Sequence, residues 1–189
     1  MARWVRAVRW SSFIPGALCG VALGWGVQQL PYVDWVRVVA PLDHLPLVIR
    51  QDAKGDGRFG APRSGHRQHR GVDIEAPLGS PVRAIRSGRV IASGKHRGFG
   101  RYLELEHRGN LHSLYAHLET IAVDVGDRVR QGQVIATVGK TGNARSPLIK
   151  PHLHLEVLQD GRPLDPSTTG LALLEPVGKS EGSETDGGE

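Results

Sequence analysis

From Gly55 to about Pro166 the chain alternates short apolar and polar runs, broken by Gly, Asp-Gly and Arg-Gly pairs. Period-two alternation punctuated by turn residues predicts short strands of an antiparallel sheet rather than helices. One device recurs: Gly79-x-x-Val82 leads to Gly88-x-Val90-Ile91-Ala92, and Gly126-x-x-Val129 leads to Gly132-x-Val134-Ile135-Ala136. Two copies do not make a solenoid. They predict the same corner and buried strand used twice, with glycine turning the corner and Val-Ile-Ala filling the strand.

Upstream the pattern changes. Arg3, Arg6 and Arg9 precede an uncharged stretch from Ser11 to Val33, most apolar over Phe13 to Val27, and no A-x-A cleavage site follows it. This predicts a signal anchor, or an uncleaved signal peptide, over 11–33, with residues 1–10 cytoplasmic and the remainder outside. Residues 34–54, with Pro41 and Pro46 among apolar positions, read as a tether that packs loosely. A single domain over 55–168 follows, and 169–189, closing on EPVGKSEGSETDGGE, reads as a disordered acidic tail. The predicted fold class is mainly β, an antiparallel sheet core preceded by an N-terminal membrane helix.

Composition narrows the chemistry. A total of 189 residues leaves room for one ordinary domain, and 25 Gly with 12 Pro agree with many turns. The single cysteine, Cys19, excludes an internal disulfide framework and any cysteine-based metal cluster, so a metal must be held by His and carboxylates. A net charge of +5 is modest and reads first as a solvated, Arg-rich surface; the alternative is a bias toward an anionic polymer, whether nucleic acid, anionic lipid or wall glycan, without choosing among them. Gly55 to Gly60 has the letters of a dinucleotide fingerprint, but Pro62 and Gly65 leave no helix behind it. Gly139-Lys140-Thr141 resembles the end of a P-loop whose first glycine is replaced by Val134. No HExxH is present, and no G-x-S-x-G marks the strand-to-helix elbow of a serine hydrolase, so the nine histidines are the remaining source of chemistry.

In HLHLEVL, read as a strand, His152, His154 and Glu156 share one face and Leu153, Leu155 and Val157 the other. The two histidine Cα atoms then stand roughly 6 to 7 Å apart. In LHSLYAHL the same alternation puts Ser113, Tyr115 and His117 on one face. HRGVDI supplies His69 and Asp73, about 13 Å apart in a straight strand, so their convergence needs a bend, and Gly71 is the residue expected to permit it. Imidazole and carboxylate are standard zinc ligands, and three of them with one open position make a catalytic arrangement. His69, Asp73 and either His152 or His154 would complete one. His44, His66, His96, His107 and His112 share no face with a second candidate ligand and read as structural or surface residues.

HRGVDI, LYAHL and PHLHLEV, with APLGSPVRA and VGDRVRQGQVIATVGKTG between them, resemble the lysostaphin/LytM-type zinc metallopeptidases over about Arg58 to Pro166. The resemblance implies one zinc ion held by His69, Asp73 and His154, with His117 and His152 as catalytic histidines. It also implies a duplicated, hybrid-motif-like β core whose groove accepts peptidoglycan peptides, at the extracytoplasmic face of the membrane. The expected partners are peptidoglycan peptides and, through the N-terminal segment, the inner membrane; no nucleic acid is expected. In place of the usual short Thr-Gly loop the chain has TGNARSPLIKPHLH, which adds Arg145 and Lys150 at the edge of the site. Tyr115, Arg145 and Lys150 are therefore candidates for touching substrate or supporting the ligands. The activity implied is zinc-dependent endopeptidase; the alternative is a non-catalytic LytM-type regulator of another wall hydrolase. A carrier-like β module, suggested by the Gly-Gln-Val-Ile-Ala echo, would need neither the histidines nor the export signal.

Overall fold

In the computed structural model, which describes residue 34 and residues 36–175, turn residues cut the chain into short strands. The expected membrane segment over 11–33 and residues 176–189 lie outside the described residues, and no helix among the described residues is long and apolar enough to cross a membrane. β1 (Leu47–Val48) comes first, followed by two small hairpins, β2 (Gln51–Asp52) with β3 (Gly55–Asp56) and β4 (Pro62–Arg63) with β5 (Arg67–Gln68). The main sheet then runs through β6 (Gly71–Glu75), β7 (Pro81–Arg83), β8 (Gly88–His96), β9 (Gly100–His107), β10 (Leu111–Ile121), β11 (Arg128–Val129), β12 (Val134–Val138), β13 (His152–Gln159) and β14 (Arg162–Leu164). β15 (Leu173–Leu174) returns to pair in parallel with β1. The nine strands of the main sheet pair antiparallel throughout, so the fold is mainly β with an antiparallel core.

The sequence echo has a topological meaning. β7 of the first copy pairs with β12 of the second, and β11 of the second pairs with β8 of the first. The corners interlock the same way: the Ala84 amide bonds to the Gln133 carbonyl, and the Val90 amide to the Asp127 carbonyl. Each copy thus lends its short strand to the other, and Val82, Val90, Val129, Ile135 and Ala136 meet in one core.

β10 organises the site. β9 lies along one edge; along the other, β13 pairs as far as Ala116 and β12 takes over from Leu118. At that handover β10 carries one extra residue between Tyr115 and Leu118, and His117 adopts a left-handed φ of 62°. A bulge re-aims the side chain at its position. Ser113 and Tyr115 therefore point into the core, each 0% exposed, while His117 faces the opposite side with Ala116, which is paired to His154. The expectation that Ser113, Tyr115 and His117 share a face is corrected by this extra residue.

Two boundaries are also corrected. Leu42, Leu47 and Ile49 are buried in the body, Asp34 accepts from the Ser87 amide, and Arg83 pairs with Asp43, so residues 38–54 are built into the domain rather than loosely tethered. Past 168, Thr169 and Leu171 are buried and β15 forms, so the folded body includes residues 169–174. Gly71 serves a different purpose from the one expected: a Cβ there would meet the Leu155 carbonyl oxygen at 2.3 Å, so glycine allows β6 to approach β13. The bend that brings His69 round lies before β6 begins.

Candidate metal centre and its groove

Register places the ligands. Antiparallel pairing of β6 with β13 sets Asp73 opposite His154 and Glu75 opposite His152, and opposed residues share a face. On the other face Leu153, Leu155 and Val157 are wholly buried, each worth roughly 1.5 to 3 kcal/mol of burial, which locks the polar face outward. His69 Nε2 stands 3.2 Å from Asp73 Oδ1 and 3.0 Å from His154 Nδ1, and His154 Nδ1 stands 2.8 Å from Asp73 Oδ1. These three buried groups are the ones among the described residues that offer ligand atoms mutually within 4.8 Å.

Backbone carbonyls decide which ring nitrogen is bare. A carbonyl oxygen only accepts, so His69 Nδ1–H donates to Arg58 (2.8 Å), His117 Nδ1–H to Thr141 (3.0 Å) and His152 Nδ1–H to Lys150 (2.7 Å). In its neutral form such a ring has an unprotonated Nε2. His154 is reversed: Nε2 faces Glu156 Oε1 at 3.2 Å and Nδ1 enters the cluster. The rings of His117 and His152 meet edge to face with centroids 4.9 Å apart, and Phe99 stacks on His154 at 5.7 Å.

Electrostatics separate the two groups. Burial, reinforced by His152 and His154 nearby, pushes His117 down to about 3, and burial also lowers His152. Burial acts against a charged His154 as well, but the Asp73 and Glu156 carboxylates outweigh it and hold that ring at about 9. Burial would raise Asp73, yet the hydrogen bond from His154 and the positive charge on that ring keep it well below the ordinary carboxylate range. Asp73 Oδ2 is turned away from the cluster by Arg50 Nη2 at 2.8 Å and Arg63 Nη2 at 3.5 Å, which leaves Oδ1 for a ligand role.

A zinc ion fits this donor set. Tetrahedral ligands at about 2.0 to 2.1 Å from zinc stand roughly 3.3 Å from one another, and the three edges here are 2.8, 3.0 and 3.2 Å. The cluster retains a proton on His154 against burial because two carboxylates flank it, which is the environment that favours a cation in its place. Glu156 and the Arg58 carbonyl supply the outer hydrogen bonds that orient ligating imidazoles.

The cluster lies in a groove of about 860 Å³ whose lining includes His117, His152 and His154, with Arg50, Lys54, Arg63, Arg67 and Arg70 among the residues along it. All five predicted metal and catalytic side chains are brought together. Tyr115 is not at the site: its hydroxyl accepts from the Ile85 amide at 2.9 Å inside the core. Arg145 and Lys150 do not line the groove; Lys150 touches the site through its carbonyl, and its ammonium pairs with Glu75. His66 and His96, read as structural or surface residues, do line it. Arg50, Asp52 and Phe99 were not singled out by the sequence, and only Glu156 carried a signal, its period-two place beside His154.

A family model described as Peptidase family M23 matches residues 67–166. The peptidoglycan DD-endopeptidase ShyB of Vibrio cholerae is 41% identical over 113 residues, which are 60% of this chain and 26% of that relative. A zinc-containing peptidase structure from Vibrio cholerae aligns with a TM-score of 0.56 at 35% identity, covering 70% of this chain and 39% of that one. The catalytic domain of the antimicrobial peptidase lysostaphin from Staphylococcus simulans aligns with a TM-score of 0.51 at 31% identity, covering 62% of this chain and 90% of that one. The chain spans about a quarter of the length of the curated relatives it matches.

Proposed function

The chain belongs to peptidase family M23, and from that premise we propose that it is a zinc-dependent endopeptidase that hydrolyses amide bonds in peptidoglycan cross-link or stem peptides. The observation that carries the reading is the pairing of the buried His69, Asp73 and His154 cluster with two neutral imidazoles, His117 and His152, in one groove.

His69, Asp73 and His154 would hold the zinc, which when bound lowers the pKa of a coordinated water and polarises a carbonyl. The remaining work falls to the chain itself. Burial keeps His117 and His152 uncharged at neutral pH, so each Nε2 is free to accept a proton from an attacking water. Their Nδ1–H bonds to Thr141 and Lys150 fix the tautomer and share the charge that forms when Nε2 is protonated. The protonated ring then has an Nε2–H to offer the carbonyl oxygen as it gains charge, and a proton to return to the leaving amine. Phe99, packed on His154, helps keep water from one side of the cluster.

The proposed setting is the outer face of the cytoplasmic membrane, with residues 11–33 as signal anchor or uncleaved signal peptide. Incubating the purified full chain with cross-linked peptidoglycan, with zinc or with chelator, and reading the muropeptides by mass spectrometry tests the reading. Zinc-dependent loss of cross-linked species is expected, and the products identify the bond cut. An unchanged profile from folded, zinc-loaded protein would instead make it a peptidoglycan-binding regulator.

A further inference from the structure

We propose that Arg50 and Asp52, from the segment upstream of the matched family region, are positioning residues that tie the metal-ligand carboxylate to a catalytic histidine. Arg50 Nη2 holds Asp73 Oδ2 at 2.8 Å, while its other arm, Nη1, holds Asp52 Oδ2 at 2.6 Å. The same Asp52 oxygen accepts from the Lys150 amide at 3.0 Å, and the Lys150 carbonyl accepts from His152 Nδ1 at 2.7 Å. A path therefore runs from Asp73 through Arg50, Asp52 and the backbone of Lys150, entering at its amide and leaving at its carbonyl, to His152.

Physical reasons favour a positioning role over generic surface pairing. The Arg50 and Asp52 side chains are each only 6% exposed, so their charges are held out of water and neither is neutralised by solvent if the other is lost. Burial would lower the Arg50 pKa, but the Asp73 and Asp52 hydrogen bonds raise it overall, so the guanidinium stays charged. The backbone reinforces the bracket: the Arg50 amide bonds to the Asp73 carbonyl, the Gly57 amide to the Arg50 carbonyl, and the Asp73 amide to the Gly57 carbonyl. Asp52 Oδ1 is in turn fixed by the Lys54 amide at 2.8 Å. A lysine could reach one carboxylate, whereas the planar guanidinium fork spans both. The long loop from Gly142 to Lys150 gains through Asp52 an anchor next to His152, which its own sequence does not supply.

The proposal rests on the functional reading above in taking Asp73 as a ligand and His152 as a proton carrier. Its test uses Asp52→Ala and Arg50→Lys in the full chain, with Asp43→Ala, which breaks the exposed Asp43–Arg83 pair away from the site, as control. Zinc affinity measured by competition with a chromophoric chelator is expected to fall roughly 10- to 100-fold in the two bracket variants and to be unchanged in the control. Turnover is expected to fall through kcat with KM little changed. In the metal-free protein, Asp52→Ala is expected to shift the His152 ring resonances in NMR, because the Lys150 peptide loses its anchor. Should Asp52→Ala fail to fold, Asp52→Asn, which keeps the shape and loses one acceptor oxygen, carries the same measurements.

A folded Asp52 variant with wild-type zinc affinity and unmoved His152 resonances overturns the bracket. Wild-type protein that cleaves no wall peptide, while Asp52→Ala still moves those resonances, sinks the functional reading and leaves the bracket standing.

Discussion

His69, His117 and His152 each give the Nδ1 proton to a backbone carbonyl, so one chemical device yields a ligand or a base according to where the bare Nε2 points. The division predicts separable defects. His69→Ala is expected to lose zinc, whereas His117→Ala is expected to stay folded and zinc-loaded while turnover drops on the order of 10² to 10⁴-fold; metal analysis beside a muropeptide assay checks both. A fifth histidine, His107, uses the same donor bond away from the site. His107 is buried, donates Nδ1–H to the Ser87 carbonyl at 3.0 Å and meets Ser113 Oγ at 2.7 Å with Nε2. The same buried network joins Ser113 Oγ to the Tyr115 hydroxyl at 3.0 Å, and the Ile85 amide donates to that hydroxyl. Burial lowers His107 to about 4 from an ordinary 6.5. The unfolded chain therefore takes up this proton first as pH falls, so His107 contributes full stability above about 6.5 and loses it progressively down to about 4. His107→Gln, which keeps a donor and an acceptor but does not titrate, is expected to flatten the fall in Tm between those limits; an unchanged slope would refute the role.

Period-two reading succeeded on β13 and failed on β10, and the difference lies in the ladder. β13 pairs with β6 and β10 residue for residue, so alternation alone placed His152, His154 and Glu156 together over a leucine face. β10 changes partner midway and accommodates the change with an extra residue at His117, and nothing in LHSLYAHL marks which residue will be extra. The loop after Thr141 also packs closely on the start of β9: Gly142 sits at φ 67°, and a Cβ there would lie 2.2 Å from the Gly100 amide nitrogen. That contact joins segments far apart in sequence, which local pattern does not reveal. The placement of Tyr115 supplies a test at this scale. Its hydroxyl caps the Ile85 amide inside the core and does not line the groove, so Tyr115→Phe leaves a buried N–H unsatisfied. The expected result is a loss of about 1 to 3 kcal/mol in denaturant unfolding, with zinc affinity and kcat retained; a selective loss of kcat would return Tyr115 to the catalytic machinery.

Over the whole chain a net charge of +5 carried no address, and folding supplies it. The β4–β5 hairpin and the residues beside it bring Arg63, Arg67 and Arg70 to the groove, with Lys54 and Arg50 from the segment before. The acidic residues lining that groove are Asp73 and Glu156, both engaged with His154. Residues 34–54 were read as a tether because Pro41 and Pro46 interrupt any period, yet their polar residues make long-range contacts that only the folded chain displays. The groove is therefore cationic in the part that no metal ligand occupies, and a peptide bearing a free carboxylate gains attraction there that its amidated counterpart lacks. An exposed ion pair contributes about 0.2 to 1 kcal/mol, so Arg67→Glu with Arg70→Glu, which turns attraction into repulsion, is expected to raise KM on the order of tenfold for the carboxylate peptide while leaving kcat and the amidated peptide nearly unchanged. Because such contacts are solvent-exposed, raising ionic strength should narrow the preference of the unmodified protein for the carboxylate form. Steady-state kinetics on the matched pair of peptides, at low and high salt, decides the matter: equal KM values for both peptides at low salt would mean that the basic side chains solvate the groove without reading the substrate.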